Sequence, residues 1–209
     1  DIKLKAAVDS QIERAESLKE KWNYEYATAD YEKVLSDPEV DIIDITLPPF
    51  LHLPFAYKAM EAGKHVICDK PLTGYFGDET DEKPVGDKVS KAKMYERILK
   101  DLKEAKEKIG NSDKLFMYAE NYIYSPAIVK AAEILRKKKS RVIYMNAECS
   151  VHGSTSPLSK DWSLVGGGSI MRLGSHPIAG VLYLKQVESE IRGYKIKPVS
   201  VVADTGRIV

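Results

Sequence analysis

The sequence contains no apolar run that approaches the ~20 residues needed to cross a bilayer. Its acidic and basic residues nearly cancel, with a formal net charge of +1, so overall charge does not favour nucleic acid or a membrane surface as a partner. Cysteine is scarce, and Cys68 and Cys149 form neither a disulfide framework nor a metal-binding spacing. These absences predict a protein of the reduced cytoplasm and indicate no metal site.

The first half of the chain contains a regular alternation of strand and helix patterns. Apolar runs at 41–46 and 65–68 are typical of strands, and the amphipathic segment 54–62 between them ends at Gly63, as a helix does. This alternation predicts a doubly wound parallel sheet with right-handed crossovers. The stretch 74–86 is rich in glycine and acidic residues without periodicity, and we interpret it as a loop or lid.

The pattern changes near residue 120, which we take as the boundary between two domains, 1–120 and 121–209. In the second domain the spacing of apolar residues predicts helices at 125–137 and 170–185 and strands at 141–151 and 199–203. We therefore expect a second domain that also mixes helices and strands.

A lysine held against a proline gives the clearest functional signal. In a doubly wound sheet, ligands bind beyond the carboxyl ends of the strands, where Lys70-Pro71 and Pro48-Pro49 would both lie. A desolvated lysine there can transfer protons, and a surface lysine in a turn is an equal alternative. His176 can also transfer protons near neutral pH, against the alternative of a helix histidine whose hydrogen bonds are satisfied.

Four segments of the sequence resemble the Gfo/Idh/MocA oxidoreductases, which include glucose–fructose oxidoreductase and inositol dehydrogenases. They are D-I-I-D-I-T-L-P-P-F-L-H at 41–52, A-G-K-H-V-I-C-D-K-P-L at 62–72, Y-A-E-N at 118–121 and G-G-G-S-I-M-R-L-G-S-H at 166–176. Asp69 stands where this family usually has glutamate. The resemblance implies an NAD(P)-binding Rossmann domain, followed by an α/β domain whose open, largely antiparallel sheet carries substrate contacts and joins subunits into dimers or tetramers.

The implied chemistry is reversible hydride transfer between a nicotinamide and the carbinol carbon of a sugar or polyol. By the resemblance, Lys70 and His176 are the catalytic pair that takes or gives the hydroxyl proton, and we expect them to converge on one pocket. The implied cofactor contacts are Thr46, Pro48, His52, Asp69, Lys70, Glu120 and Asn121, and the implied substrate contacts are Arg172, Tyr124 and Trp162. Packing at the domain junction is an equal alternative for Glu120, Asn121, Tyr124 and Trp162.

Asp9 ends the first predicted strand and bears on the choice between NAD and NADP. An acid at this place hydrogen-bonds the adenosine ribose and favours NAD, while the alternative is an N-cap for the helix that starts near Gln11. The glycine fingerprint G-x-G-x-x-G should precede such an acid by about 20 residues, and the sequence does not contain it. We therefore expect these residues to be an internal portion of a longer protein.

Arg172 departs from the family, which commonly has aspartate four residues before the histidine. On a helix Arg172 and His176 would share a face, but an arginine cannot orient an imidazole by accepting its proton. It would favour the neutral forms of His176 and Lys70 and could bind a substrate carboxylate, or it points away and does neither.

A dehydrogenase is the leading function. The alternatives are a ligand-binding or regulatory relative that has lost catalysis and an NAD-dependent glycoside-cleaving enzyme.

Overall fold

The computed structural model describes residues 2–204 and divides the chain into two compact units. The first unit comprises the chain up to Ala119 together with a returning segment, Gly153–Arg172. The second unit comprises Glu120–His152 and the chain from Leu173 onward. The predicted division near residue 120 does not separate out this returning segment. Residues 205–209, the end of the predicted second domain, lie outside the described part.

Strands and helices alternate through the first 119 residues, as the sequence pattern predicts. The strands are β1 (Ala6–Val8), β2 (Tyr26–Thr28), β3 (Ile42–Ile45), β4 (His65–Asp69) and β5 (Phe116–Ala119). The helices within residues 2–204 are α1 (Ile12–Trp22), α2 (Tyr31–Ser36), α3 (His52–Glu61), α4 (Val85–Lys88), α5 (Lys91–Gly110), α6 (Pro126–Lys138), α7 (Trp162–Val165) and α8 (Ser175–Arg192). Short 3-10 turns form at Pro49–Leu51, Asn121–Tyr124 and Pro157–Lys160, and a π-helix at Ile170–Gly174 precedes α8.

The five strands run parallel to their neighbours but form two sheets. One sheet contains β1 and β2, and the other contains β4 between β3 and β5. Ile45 lies opposite Cys68, and Asp69 lies opposite Ala119, so three strands end at the same edge. Within residues 2–204 no strand joins β1 to β3, so the predicted single sheet is here a pair of parallel sheets.

The core of the first unit forms where apolar side chains of β3 and β4 pack against α2 and α3. Its buried members are Val34, Leu35, Val40, Ile43, Ile45, Ala56, Ala59, Met60, Val66 and Cys68. Asp30 begins α2 because its carboxylate accepts the backbone N–H groups of Glu32 and Lys33. Burying each of the larger aliphatic side chains contributes about 1.5–3 kcal/mol, which holds the strands of the second sheet under these helices.

The stretch 74–86 is a loop fastened at both sides. Tyr75 is 2% exposed, and its hydroxyl donates to Asp81 at 2.5 Å. The Asp81 carboxylate also pairs with Lys93 on α5. On the other side, the indole N–H of Trp162 donates to the backbone carbonyl of Tyr75 at 2.6 Å. The loop is therefore bound to both α5 and α7.

Two glycines allow the returning segment to approach this loop closely. Gly166 has a φ of +67°, and a Cβ at this position would lie 2.5 Å from the ring of Phe76. A Cβ on Gly74 would lie 2.7 Å from the carbonyl oxygen of Gly166. The backbone N–H of Tyr75 donates to that same oxygen at 2.9 Å. Side chains at these glycines would therefore push the two segments apart.

The second unit is helical in its described residues. A Cβ on Gly180 of α8 would lie only 3.4 Å from Ile128 of α6, so the two helices pack closely. The strands predicted at 141–151 and 199–203 are not formed, and the described part of this unit shows no sheet. Most side chains in both segments are exposed, Ile143 at 92% and Val202 at 98%. None of the described helices is long and apolar enough to cross a membrane.

Candidate active site

Lys70 directly follows β4, at the edge where the strands of its sheet end. Its backbone N–H donates to the Asp69 carboxylate at 2.7 Å, and its amine donates to the backbone carbonyl of Arg172. The Lys70 side chain is half-buried, while Asp69 stays exposed. These contacts hold the amine in one place within the first unit, which a proton-transfer group requires.

His52 is buried between two loops at the same edge and is only 1% exposed. Its Nδ1 lies 2.8 Å from the carbonyl oxygen of Pro71, and its Nε2 lies 2.7 Å from the carbonyl oxygen of Leu47. With both ring nitrogens engaged by backbone, the side chain connects the loop after β3 to the loop that carries Lys70. A contribution of His52 to cofactor binding would therefore act through the position of these loops.

Asp9, Thr46 and Pro48 occupy the loops that follow β1 and β3. The Oδ1 atom of Asp9 accepts the backbone N–H of Gln11 at 2.9 Å, just before α1 begins. The N-cap of α1 is Gln11, so the alternative role of Asp9 as an N-cap is not realised. The Oδ2 atom of Asp9 makes no hydrogen bond within residues 2–204 and could receive a ribose hydroxyl. Thr46 is exposed and Pro48 half-buried. All three positions fit the ligand-binding edge of a parallel sheet.

His176 lies near the start of α8 and is held by Glu120. The His176 Nδ1 atom is 2.6 Å from Oε1 of Glu120. The ring of Tyr122 stacks on the imidazole with centroids 4.4 Å apart and planes at 17°. This cluster of Glu120, Tyr122 and His176 belongs to the second unit. The resemblance named Glu120 only as a cofactor contact and did not indicate Tyr122, because a pairing across 56 positions leaves no local pattern in the sequence.

The three predicted substrate contacts are placed in different surroundings. Trp162 packs against the cluster of Tyr75, Val85, Val89 and Met94, and its N–H is already used, so a ligand could meet only its ring. Tyr124 is 62% exposed, next to the exposed Asn121 in the same 3-10 turn. Arg172 lies in the π-helix and has no ion-pair partner among the described residues. Arg172 thus lies in a π-helix and His176 in the α-helix that follows, and the sharing of one face by their side chains stays a prediction.

The predicted site residues thus fall into two groups, one in each unit. Lys70 and Arg172 meet in the first, and Glu120 and His176 meet in the second. Convergence of Lys70 with His176 stays a prediction. No cluster of three or more His, Cys, Asp or Glu side chains within residues 2–204 is placed to hold a metal ion.

Comparison with known proteins identifies oxidoreductases that are similar to this chain. Residues 1–81 match a family model described as GFO/IDH/MocA, oxidoreductase family, NAD-binding Rossmann fold. Levoglucosan dehydrogenase of Pseudarthrobacter phenanthrenivorans is 28% identical over 186 residues, which are 86% of this chain and 42% of that protein. D-glucoside 3-dehydrogenase of Escherichia coli is 24% identical over 187 residues, 88% of this chain and 47% of that protein. The chain spans less than half the length of these curated relatives.

Solved structures show the same fold. Levoglucosan dehydrogenase in complex with NADH and levoglucosan aligns with a TM-score of 0.66 at 23% identity. The alignment covers 87% of this chain and 44% of that one. The parallel sheets and their helices are therefore a Rossmann-type arrangement.

Proposed function

We propose that the chain belongs to the GFO/IDH/MocA family of NAD-binding oxidoreductases, whose model matches residues 1–81, and that it is an NAD(P)-dependent dehydrogenase of sugars or polyols. The reaction is reversible hydride transfer between the nicotinamide and a carbinol carbon of the substrate. Two relatives that align with most of this chain are named for levoglucosan and for D-glucosides, which are carbohydrates. Their names support a carbohydrate-like substrate for this chain.

In this proposal Lys70 and His176 handle the proton of the reacting hydroxyl. A nicotinamide held at the ends of the strands would supply the acceptor or donor of the hydride. The Lys70 amine donates a hydrogen bond that stabilises the developing alkoxide, and the His176 imidazole takes the proton. The observation that carries the proposal is the fixed Lys70 amine, held by the Arg172 carbonyl where the strands of its sheet end.

The preference for NAD over NADP is also a proposal, and it is supported by the free Oδ2 of Asp9.

A further proposal is that 141–151 and 199–203 become strands of an open, largely antiparallel sheet. The exposed apolar side chains of these segments support it. Such a sheet would join subunits into a dimer or tetramer. The two free cysteines support a reduced, cytoplasmic setting.

Substitution of either proton-transfer residue tests the proposal. We expect Lys70→Ala and His176→Ala each to lower kcat/KM by about 10²–10⁴-fold, measured from NADH absorbance with a panel of sugars and polyols. NADH binding, followed by its fluorescence, should change much less. The exposed residues Lys58 and His152 provide matched controls, and Lys58→Ala and His152→Ala should behave as the wild type. A Lys70→Ala protein with wild-type kcat/KM would contradict the assignment.

Arg172 favours a second candidate function, that of a ligand-binding or regulatory protein. An arginine stands where the resemblance leads us to expect an aspartate that completes the set of proton-transfer groups. NADH binding without oxidation of any tested sugar or polyol would support this candidate. Cleavage of a glycoside without net change in NADH would instead support the glycoside-cleaving alternative.

A further inference from the structure

The second unit buries two glutamates that differ in how many of their carboxylate oxygens have a hydrogen-bond or ion-pair partner. Glu188 is 1% exposed, and its Oε2 accepts from Lys185 at 2.5 Å and from the backbone N–H of Val142 at 3.2 Å. Its Oε1 lies 3.6 Å from Arg192. Glu120 is 5% exposed, and its Oε2 is buried with no hydrogen-bond partner among the described residues. A buried carboxylate with a purely structural role is expected to have a polar partner for each oxygen, as Glu188 has.

The other oxygen of Glu120 fixes the imidazole of His176. Oε1 lies 2.6 Å from Nδ1 of His176 and accepts the backbone N–H of Tyr122 at 3.2 Å. Because a carboxylate can only accept, Nδ1 carries the hydrogen and Nε2 keeps its lone pair. The stacked ring of Tyr122 limits rotation of the imidazole. The arrangement presents Nε2 as a base.

A second unpartnered polar atom lies next to this histidine in the sequence. Ser175 and His176 are the first two residues of α8. The buried Oγ of Ser175, like Oε2 of Glu120, has no partner within the described part of the chain. Each unpaired buried polar atom costs about 1–3 kcal/mol, and native structures keep few of them except at functional sites. The surroundings of His176 therefore have the character of a binding site.

We propose that Glu120 is the positioning residue for His176 and supplies the carboxylate that Arg172 cannot supply. Glu120 holds Nδ1–H, so Nε2 accepts the proton of the substrate hydroxyl as hydride leaves the carbinol carbon. The imidazolium that forms is stabilised by the carboxylate charge. This inference rests on the proposed dehydrogenase function.

The tautomer of His176 tests the positioning role without any turnover. Nitrogen-15 NMR of the four ring systems, assigned with single histidine variants, should show Nδ1 protonated and Nε2 unprotonated in the neutral ring of His176. Glu120→Leu should remove this preference, and Glu120→Gln, which keeps an acceptor and a similar shape, should retain part of it. Glu188→Gln is the matched control and should leave the His176 signals unchanged. Unchanged signals in Glu120→Leu would overturn the inference.

Kinetics of the Glu120→Gln variant provide a second measurement. We expect kcat to fall by about 10²-fold or more, with little change in NADH affinity measured by fluorescence. The Glu188→Gln control should lower stability and leave kcat near the wild-type value. Wild-type protein without dehydrogenase activity would contradict the proposed function alone, since the tautomer measurement still stands. An active wild type together with an undiminished kcat in Glu120→Gln would overturn the positioning role.

Discussion

At the scale of single residues, burial decides which predicted site residues can meet a ligand directly. Cys68 lies two positions before Lys70, but its side chain is fully buried in the core. Burial, followed by the charges of Asp69 and Asp44, raises the pKa of its thiol to about 12. The thiol therefore stays protonated at neutral pH and acts as an apolar filler. Lys70 is only half-buried and keeps its amine at the edge of the sheet.

Removing the His52 ring should loosen both loops that it connects. A neutral imidazole donates to only one of the two carbonyls, so His52→Leu would leave that carbonyl without its donor, and we expect a loss of about 1–3 kcal/mol in the free energy of unfolding. His52→Gln can still donate to one carbonyl, so its loss should be smaller. Urea denaturation measures both, with the exposed His152→Leu as a control that should change little. Equal stability of His52→Leu and His152→Leu would contradict this role.

At the scale of elements, the loop 74–86 is stabilised by charge on one side and by close packing on the other. Lys93 of α5 pairs with Asp78 at 3.0 Å and also with Asp81, while Trp162 and Gly166 contact the loop from the returning segment. A polar, glycine-rich sequence without periodicity predicts a loop but cannot show that distant residues hold it. The two kinds of contact can be tested separately.

The ion pairs between Lys93 and the acidic residues of the loop should weaken in acid. The hydrogen bonds of Asp81, first with Lys93 and then with Tyr75, lower its pKa from 3.8 to about 2. Because the pKa is lower in the folded state, this stabilisation is present above pH 3.8 and is lost as the pH falls to about 2. Trp162 fluorescence in a Trp22→Phe background should report a transition in that range.

Two variants identify the group responsible for this acid transition. Asp81→Asn should loosen the loop already at neutral pH and reduce the transition to what the Lys93–Asp78 pair contributes. Glu79→Gln, which changes an exposed acid of the same loop, should preserve it. A transition of unchanged size in Asp81→Asn would show that another group is responsible.

The close packing of the returning segment against the loop depends on the absence of a side chain at Gly166. Gly166→Ala forces a left-handed backbone on a residue with a Cβ and places that Cβ against Phe76 and Gly74. We expect a loss of about 1–3 kcal/mol in the free energy of unfolding, measured by urea denaturation. Gly168→Ala is the matched control because nothing lies within 4 Å of its Cβ position. Equal stability of the two variants would refute the packing argument.

At the scale of the whole molecule, local periodicity predicted β3, α3 and β4 within a few positions. The strand β4 and the helix α3 were recognisable because their apolar residues repeat at the spacing of their own element and a glycine ends the helix. The predicted strands at 141–151 and 199–203 were not formed, because alternation alone cannot supply a neighbouring strand. Strand pairing depends on residues far away in the sequence.

The candidate site was only partly predictable for the same reason. Motifs identified Lys70 and His176 one at a time, since each lies in a recognisable segment. The carboxylate partner of His176 was sought at position 172, four residues away, whereas the structure supplies it from Glu120 at 2.6 Å. The link of His52 to two backbone carbonyls was also hidden, because carbonyl groups have no signature in a sequence.

The returning segment Gly153–Arg172 also affects how the protein is made on the ribosome. The polypeptide passes from one unit to the other after Ala119, after His152 and again after Arg172. The Rossmann-type unit therefore cannot complete its packing during synthesis until Arg172 has left the ribosome, and by then 120–152 is already synthesised. Contacts that close over so long a stretch form slowly, so the nascent chain leaves Tyr75 without its Trp162 partner until the returning segment is made.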